Sequence, residues 1–472
     1  MQIYELLLRP YTIIFLAFFA VKIIQSRYSM SVCPHCHKHL ELALKGKEKV
    51  HPKYSYDDLP TSQNSIRILV LFSSPSYDSE IECELRNIEF VSDRPLEYSY
   101  EALSWNWGVL EHTGRIIVRK GDKKKRSFQK NISPDLEAAL RALRYLNRDR
   151  YLWIDQVCIN QDYTQEKNHQ VVMMADIYGR ASKVCIWLGE ADSSSRIALK
   201  FIKEEVLQLQ NFDELCESEK ASQKWAALLD LMQRPWFSRR WVVQEVALAR
   251  RTVVYCGSDK ISWKKFAIAV ELFVEVETAT HRLSEVMKKD ARFDHVPGWF
   301  EYVSALGASL LVLATSKLFR DYKPYGPDGA EKDSDSESES DTAEMDREDD
   351  DTSPISDKAS PLNPEKNFSR ALGQPLLTLE YLVSSLSIFE VTKSHDAIYA
   401  LLAIARDTVP FAGVQGDSAQ QLIHKAFAAV SQRKSYTVDY EQPFEDVGKN
   451  FIEFCMTNSN DHTRALDIIC RP

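Results

Sequence analysis

The sequence predicts an α/β fold: a parallel sheet with flanking helices and β-hairpin additions, followed by a mostly helical C-terminal region. The stretch from Tyr151 to Gly189 carries that prediction. Tyr151–Ile154 is an apolar run, long enough for a buried strand and too short for a helix. A polar turn, Asn160 to Thr164, leads into a helical pattern in which Val171, Met174 and Tyr178 recur at spacings of three and four. Gly179 can end that helix, and Lys183–Leu188 reads as a second buried strand closed by Gly189. Two uniformly apolar strands around one helix form the pattern of a parallel β-α-β unit. Ligands of such sheets lie beyond the carboxyl ends of the strands, where Asp155 falls.

The remaining elements follow in order. Residues 1–30 hold an apolar stretch, Leu6–Ile24, interrupted by Arg9 and Lys22. Its unbroken part, Tyr11–Val21, is shorter than the roughly eighteen residues a spanning helix needs. It reads either as a membrane anchor with snorkelling basic ends, leaving the rest in the cytosol, or as a buried or interfacial helix. Residues 31–64 are a linker with Cys33-Pro-His-Cys36, near His37 and His39. A structural zinc site takes four ligands, usually as two pairs, and no second Cys-x-x-Cys occurs. No metal site is therefore assigned.

Residues 65–260 make the main domain. Ser65–Phe72, Ile81–Phe90 and Tyr98–Trp105 read as strands, with a turn at Asp93-Arg94-Pro95. Gly114–Arg119 and Ser127–Ile132 flank the basic turn GDKKKR as a hairpin. Ser133-Pro134 supplies the N-cap and first position of a helix striped by Leu136, Leu140, Leu143 and Leu146. Amphipathic helices follow at about 194–209 and 220–233. A further helix starts near Pro235, and Thr252–Cys256 is a strand. Residues 261–321 are a helical extension. The segment 322–366 is rich in proline, serine and acids and cannot bury enough apolar surface to order itself. Its Ser334, Ser336, Ser338 and Ser340 read as a phosphorylation cluster or as part of a solvated linker. Residues 367–472 are helical, with helices near 376–391 and 394–405. The chain ends in mid-pattern at ALDIICRP, which reads as an incomplete region.

The chain of 472 residues is 44% hydrophobic and 27% charged, ordinary globular values. Its net charge of −9 is local: residues 331–352 hold twelve acids and two bases, −10, which leaves the rest near +1. That balance advertises no basic surface, and no nucleic-acid partner is expected. Several of the nine cysteines (Cys158, Cys185, Cys256) sit in apolar runs, as thiols do in a reducing, cytoplasmic setting.

No glycine-rich dinucleotide motif, Walker loop, nucleophile elbow or kinase signature is present. The candidates for chemistry are polar residues set among aromatics: Ser104, Asn106, Asp155, Asn160, Gln161, Glu166, Gln170, Arg239, Gln244 and Glu245. Each also has a structural reading. Trp105, Trp107, Trp153, Trp187, Trp236 and Trp241 read as core anchors before a ligand cage. Asp155 and Asn160-Gln161-Asp162 have turn chemistry, and Arg239 can pair with a local acid.

Three blocks, YEALSWNWG at Tyr100–Gly108, the Tyr151–Gly189 stretch and RPWFSRRWVVQE at Arg234–Glu245, resemble in order and spacing the fungal heterokaryon-incompatibility (HET) domain. The resemblance covers roughly residues 66–256. His395–Ala405 resembles a segment downstream of that domain in many HET proteins. The family is in turn distantly similar to Toll/interleukin-receptor (TIR) domains, which have a parallel flavodoxin-like sheet. Some of these cleave NAD with a glutamate in a Trp-x-x-x-Glu helix, and Trp241 to Glu245 matches that spacing. The resemblance implies Glu245 as the catalytic residue and a substrate pocket lined by Ser104, Asn106, Asp155, Asn160 and Trp241. NAD is then a substrate, and no cofactor is implied. It further implies a nonself-recognition effector that triggers programmed cell death, in the cytoplasm or tethered to a membrane through Leu6–Ile24. The alternative is a non-enzymatic module that self-associates through the HET domain and recruits an incompatibility partner.

Overall fold

The computed structural model describes residues 51–59, 64–90, 96–108, 113–121, 126–208, 215, 221–280, 299–317, 319–320, 374–412 and 433–458. The chain divides into two compact units, Met1–Pro52 and Lys53–Pro472, and every described strand and helix belongs to the second. The expectations for Leu6–Ile24, Cys33 and Cys36, the Asp93-Arg94-Pro95 turn, the acidic segment 322–366 and the last residues lie outside the described residues.

Nine strands form the main sheet: β1 Ser65–Leu71, β2 Glu82–Glu89, β3 Glu101–Trp105, β4 Gly114–Lys120, β5 Arg126–Ile132, β6 Arg150–Trp153, β7 Val184–Trp187, β8 Thr252–Cys256 and β9 Asp259–Ser262. Their spatial order is β5-β4-β2-β1-β6-β3-β7-β8-β9. The sheet is mixed, which corrects the expectation of a parallel one. Only β6-β3-β7-β8 run parallel to one another, and the short β2–β4 pairing is parallel as well. The pairs β1–β2, β1–β6, β4–β5 and β8–β9 are antiparallel. Connection length explains the difference. A parallel return needs a crossover of a dozen or more residues, usually a helix. The helix Thr164–Arg180 links β6 to β7, whereas β8 turns straight into β9 at Gly257, whose φ of 57° suits glycine. The predicted 114–132 hairpin is β4–β5. β6 and β7 are not neighbours, because β3 lies between them.

The helices are α1 Pro134–Leu143, α2 Asp155–Cys158, α3 Thr164–Arg180, α4 Ser193–Phe201, α5 Ser222–Met232, α6 Trp241–Ala247, α7 Trp263–Thr280, α8 Trp299–Ser304, α9 Gly307–Lys317, α10 Leu379–Ser385, α11 Asp396–Tyr399 and α12 Phe444–Asn458. Ser133 caps α1, its hydroxyl accepting from the Leu136 amide at 3.2 Å. Asp192 and Ser195 form a reciprocal capping box on α4, which continues as a π turn, Ile202–Val206. α3 runs one residue past Gly179. The predicted helix from Pro235 is instead a 3-10 turn, Pro235–Ser238, followed by α6. That turn sits hard against the start of α9: a Cβ on Gly307 would lie 2.3 Å from the Phe237 carbonyl oxygen. Glycine alone allows the approach.

Trp105, Trp153, Trp187, Trp225 and Trp236 are fully buried in one continuous core, whereas Trp107 and Trp241 are only partly covered. Among the described residues, the C-terminal region is shorter in helix than expected. α10 and α11 replace the predicted 376–391 and 394–405, and a parallel ladder joins β10 Thr408–Ala412 to β11 Lys434–Val438. This region is bound to the main domain through Arg240. The guanidinium donates to the carbonyls of Ala397 and Leu386, and the Arg240 amide donates to Glu390 O at 3.0 Å. Leu386 and Ala397 lie at the C-cap of α10 and within α11, so the cation meets backbone carbonyls near two helix ends.

Candidate functional site

β3 and β6 pair in parallel, and both send polar residues past their carboxyl ends. Ser104 lies near the end of β3, and Asp155 follows β6 as the first residue of α2. α6 brings Glu245, α3 brings Tyr178, and the turn before α6 brings Trp236 and Arg239.

Glu245 is 1% exposed. Its Oε2 accepts from the Ser104 hydroxyl, and that same oxygen of Ser104 accepts from Trp236 Nε1 at 2.8 Å. The Tyr178 hydroxyl also donates to the Glu245 carboxylate. Asp155 is bracketed by two indoles: Trp107 Nε1 donates to Oδ2 at 2.8 Å and Trp105 Nε1 to Oδ1 at 3.2 Å. The Gln156 amide donates to Asp155 Oδ1 at 2.7 Å. Arg239 donates to the Trp105 carbonyl and acts electrostatically on both carboxylates.

Burial pushes the Glu245 carboxyl up to about 7; the Asp155 charge adds to the rise, while Arg239 and the Ser104 and Tyr178 hydroxyls oppose it. Burial also raises Asp155, against the pull of Arg239 and the indole hydrogen bonds. The residue as a whole is half-buried, but its carboxyl group is enclosed by the two indoles, and that enclosure governs its desolvation. Tyr178 is pushed well above its ordinary value by burial and then by the Glu245 charge. The cluster holds two carboxyl groups made weaker acids by burial, one cation beside them and hydroxyl donors in place. Glu245 can exchange a proton near neutrality, and the ionised carboxylates can stabilise a developing positive charge.

Of the residues selected from sequence, Ser104, Asp155 and Glu245 come together here. Asn106 lies just beyond β3, part-exposed, and makes no side-chain hydrogen bond among the described residues. Trp241 opens α6 and packs part-buried against the core. Asn160 belongs to a different network: its amide donates to Glu166 Oε1 at 2.7 Å, and Glu166 forms a buried ion pair with Arg67 on β1. Gln170 donates to Ser65 O at 2.8 Å. Sequence reasoning treated Tyr178 as one member of an apolar stripe and Trp236 as an anchor. Their polar tips were the available signal, since a buried Tyr or Trp normally finds a hydrogen-bond partner. Beside the cluster in sequence, Trp153 Nε1 and both side-chain polar atoms of Gln156 are buried without a partner. Such groups are uncommon in folded proteins.

A separate cleft of about 320 Å³, lined by Glu80, Arg115, Glu137 and Arg141 among others, contains none of these residues. The site is assigned on its chemistry. No helix among the described residues is long and apolar enough to cross a membrane, and none of their His, Cys, Asp and Glu side chains group as metal ligands.

A model of the family described as Heterokaryon incompatibility protein (HET) matches residues 100–245, the span that contains every member of this cluster. Residues 100–245 thus match the HET family. Over 249 residues the chain is 32% identical to Heterokaryon incompatibility protein 6, OR allele, of Neurospora crassa. The alignment covers 45% of this chain and 36% of that relative, so the chain spans little more than a third of its length. No solved structure matches. The matched span begins at Tyr100, before β3, and ends on Glu245. Its two limits are the strand and the helix that meet at the Ser104–Glu245 hydrogen bond.

Proposed function

We propose that this protein acts in fungal heterokaryon incompatibility as a cytoplasmic nonself-recognition effector, and that its Glu245 site triggers cell death by cleaving NAD. The observation that supports the chemistry is the convergence of Glu245, Ser104, Tyr178, Arg239 and Asp155 at the carboxyl ends of parallel strands. In the reaction the bond between the ribose anomeric carbon and the nicotinamide nitrogen breaks, and its electron pair leaves with nicotinamide. The Glu245 carboxylate stabilises the oxocarbenium-like carbon. Water adds to that carbon and gives up its proton to a carboxylate of the Glu245–Asp155 pair. Part-exposed Trp107, Arg239 and Asp155 form the side from which substrate approaches. The likeness to NAD-cleaving TIR domains supports this reading through the Trp241–Glu245 spacing alone.

One observation favours a second reading. Glu245 is enclosed and bonded by Ser104 and Tyr178, as a structural carboxylate is. In that case the HET domain signals without catalysis, by self-association and by recruiting an incompatibility partner. The deciding experiment measures NAD in cells expressing the full chain or its Glu245→Gln variant at equal abundance. NAD loss and death with the parent, both absent with the variant, is the expected result. Death with NAD intact overturns the enzymatic reading and leaves assembly.

A further inference from the structure

The turn before α6 bonds in two directions, toward the Glu245 cluster and toward the C-terminal region. Trp236 Nε1 donates to the Ser104 hydroxyl at 2.8 Å, and Arg239 donates to the Trp105 carbonyl. Ser104 and Trp105 are the residues of β3 that bond to Glu245 and Asp155. Ser238 and Arg240, on either side of Arg239, bond to the C-terminal region instead. The Glu390 amide donates to Ser238 O at 2.6 Å, and the Arg240 amide donates to Glu390 O at 3.0 Å. Glu390 thus forms a parallel β-bridge directly with Arg239. The Arg240 guanidinium adds Ala397 O at 2.5 Å and Leu386 O at 2.7 Å.

Local structure holds this segment weakly. α6 has seven residues, and its N-cap, Arg240, makes no side-chain capping bond. A helix that short is marginal by itself, so its position depends on tertiary contacts. The amide at its start is satisfied by the Glu390 carbonyl and not by a capping side chain. The region that supplies this carbonyl is itself docked at a second place. Asn168, in the first turn of α3, accepts from the Tyr440 amide at 3.1 Å and donates to Asp439 Oδ1 at 3.4 Å.

We propose that Arg240 and Glu390 are positioning residues of the Glu245 site: by gripping the chain on both sides of Arg239, they seat Arg239 on the Trp105 carbonyl and Trp236 on Ser104. Leu386, Glu390 and Ala397 lie beyond the family-matched residues 100–245, so the cluster is completed from outside that span. Undocking of the C-terminal region frees the turn and disorganises the cluster, and docking is then a precondition of the site's action. The consequence for turnover rests on the reading of Glu245 as the site of cleavage. The coupling itself does not.

The test uses the full chain with isotope-labelled tryptophan, whose indole N–H groups are read by NMR and assigned by single replacements with phenylalanine. Trp225, whose indole donates to Leu215 O at 3.1 Å outside this network, is the internal reference. Glu390→Pro, at an exposed position, deletes the amide that bonds Ser238, and Arg240→Met deletes the guanidinium. Each should shift the Trp105 and Trp236 signals and speed their hydrogen exchange about tenfold relative to Trp225. Arg240→Lys, which can reach one of the two carbonyls, should give a smaller change in the same signals. Equal acceleration at all three indoles marks general loosening and overturns the positioning role. Unchanged Trp105 and Trp236 signals in folded Glu390→Pro and Arg240→Met overturn it as well. If those signals respond while the parent leaves NAD intact, the positioning role stands and the cleavage reading falls. If NAD is consumed through Glu245 and both variants keep the parental signals and turnover, the positioning role falls alone.

Discussion

Replacing Glu245 with glutamine should remove a specific slope from the pH dependence of stability. Burial raises this carboxyl from 4.5 to about 7. Each tenfold change in proton affinity is worth about 1.4 kcal/mol, so keeping the ionised form buried costs the native state about 3 kcal/mol. Between these two values the native protein keeps a proton that the unfolded chain has released. Stability therefore falls as pH rises: the contribution is complete below about 4.5 and gone above about 7. Asp155, also raised, adds a slope of the same sign, but it remains in both proteins. The parent-minus-variant difference therefore isolates Glu245, apart from the mutual repulsion of the two carboxylates. Glutamine preserves shape and can still accept from one of the Ser104 and Tyr178 hydroxyls, while the other must turn and accept. Urea denaturation of both proteins at steps between about pH 4 and about pH 8 reads the effect. The parent should lose about 3 kcal/mol more than the variant across that range. A difference that stays constant with pH, or that grows in favour of the parent as pH rises, refutes the argument.

Other perturbations test the surrounding framework. Arg240→Met leaves the carbonyls of Leu386 and Ala397 without their donor; it should cost about 2–4 kcal/mol and speed proteolysis within residues 374–412, read by mass spectrometry of the fragments. Breaking the buried Arg67–Glu166 pair with Arg67→Met or Glu166→Gln should cost about 3–5 kcal/mol each, and the double replacement less than their sum, in a denaturation cycle. Gly307→Ala drives a methyl group into the Phe237 carbonyl and should lower stability by about 1–3 kcal/mol, measured by the same denaturation.

Much of this molecule was legible before its fold. Tyr151–Ile154, Lys183–Leu188 and the stripe of Leu136, Leu140 and Leu143 read directly as strands and helix, because periodicity reports which faces are buried, whereas Leu146, assigned to the same stripe, lies beyond the helix and is exposed. Strand direction was not legible. Every residue of β1, SIRILVL, is buried. Yet β1 is antiparallel to both β2 and β6. An apolar run reports cover on two faces, and a central antiparallel strand has that cover too. The helix placed at Pro235 is divided, with a 3-10 turn, Pro235–Ser238, before α6, and Gly307 lets α9 approach that turn closely.

By itself the sequence determined the composition of the site. It supplied three aromatic blocks with Ser104, Asp155 and Glu245 embedded in them, and a local charge balance with no basic face. The tertiary structure decided which of these residues meet. Ser104 and Glu245 are 141 positions apart and share a hydrogen bond, while Asn160 is drawn away to Glu166 and Arg67. Pairings of that kind depend on sheet order and on the placement of α3 and α6, which no local pattern encodes. The acidity of Glu245 has the same origin. A carboxyl raised to about 7 is a property of its burial, and burial exists only once distant segments have packed.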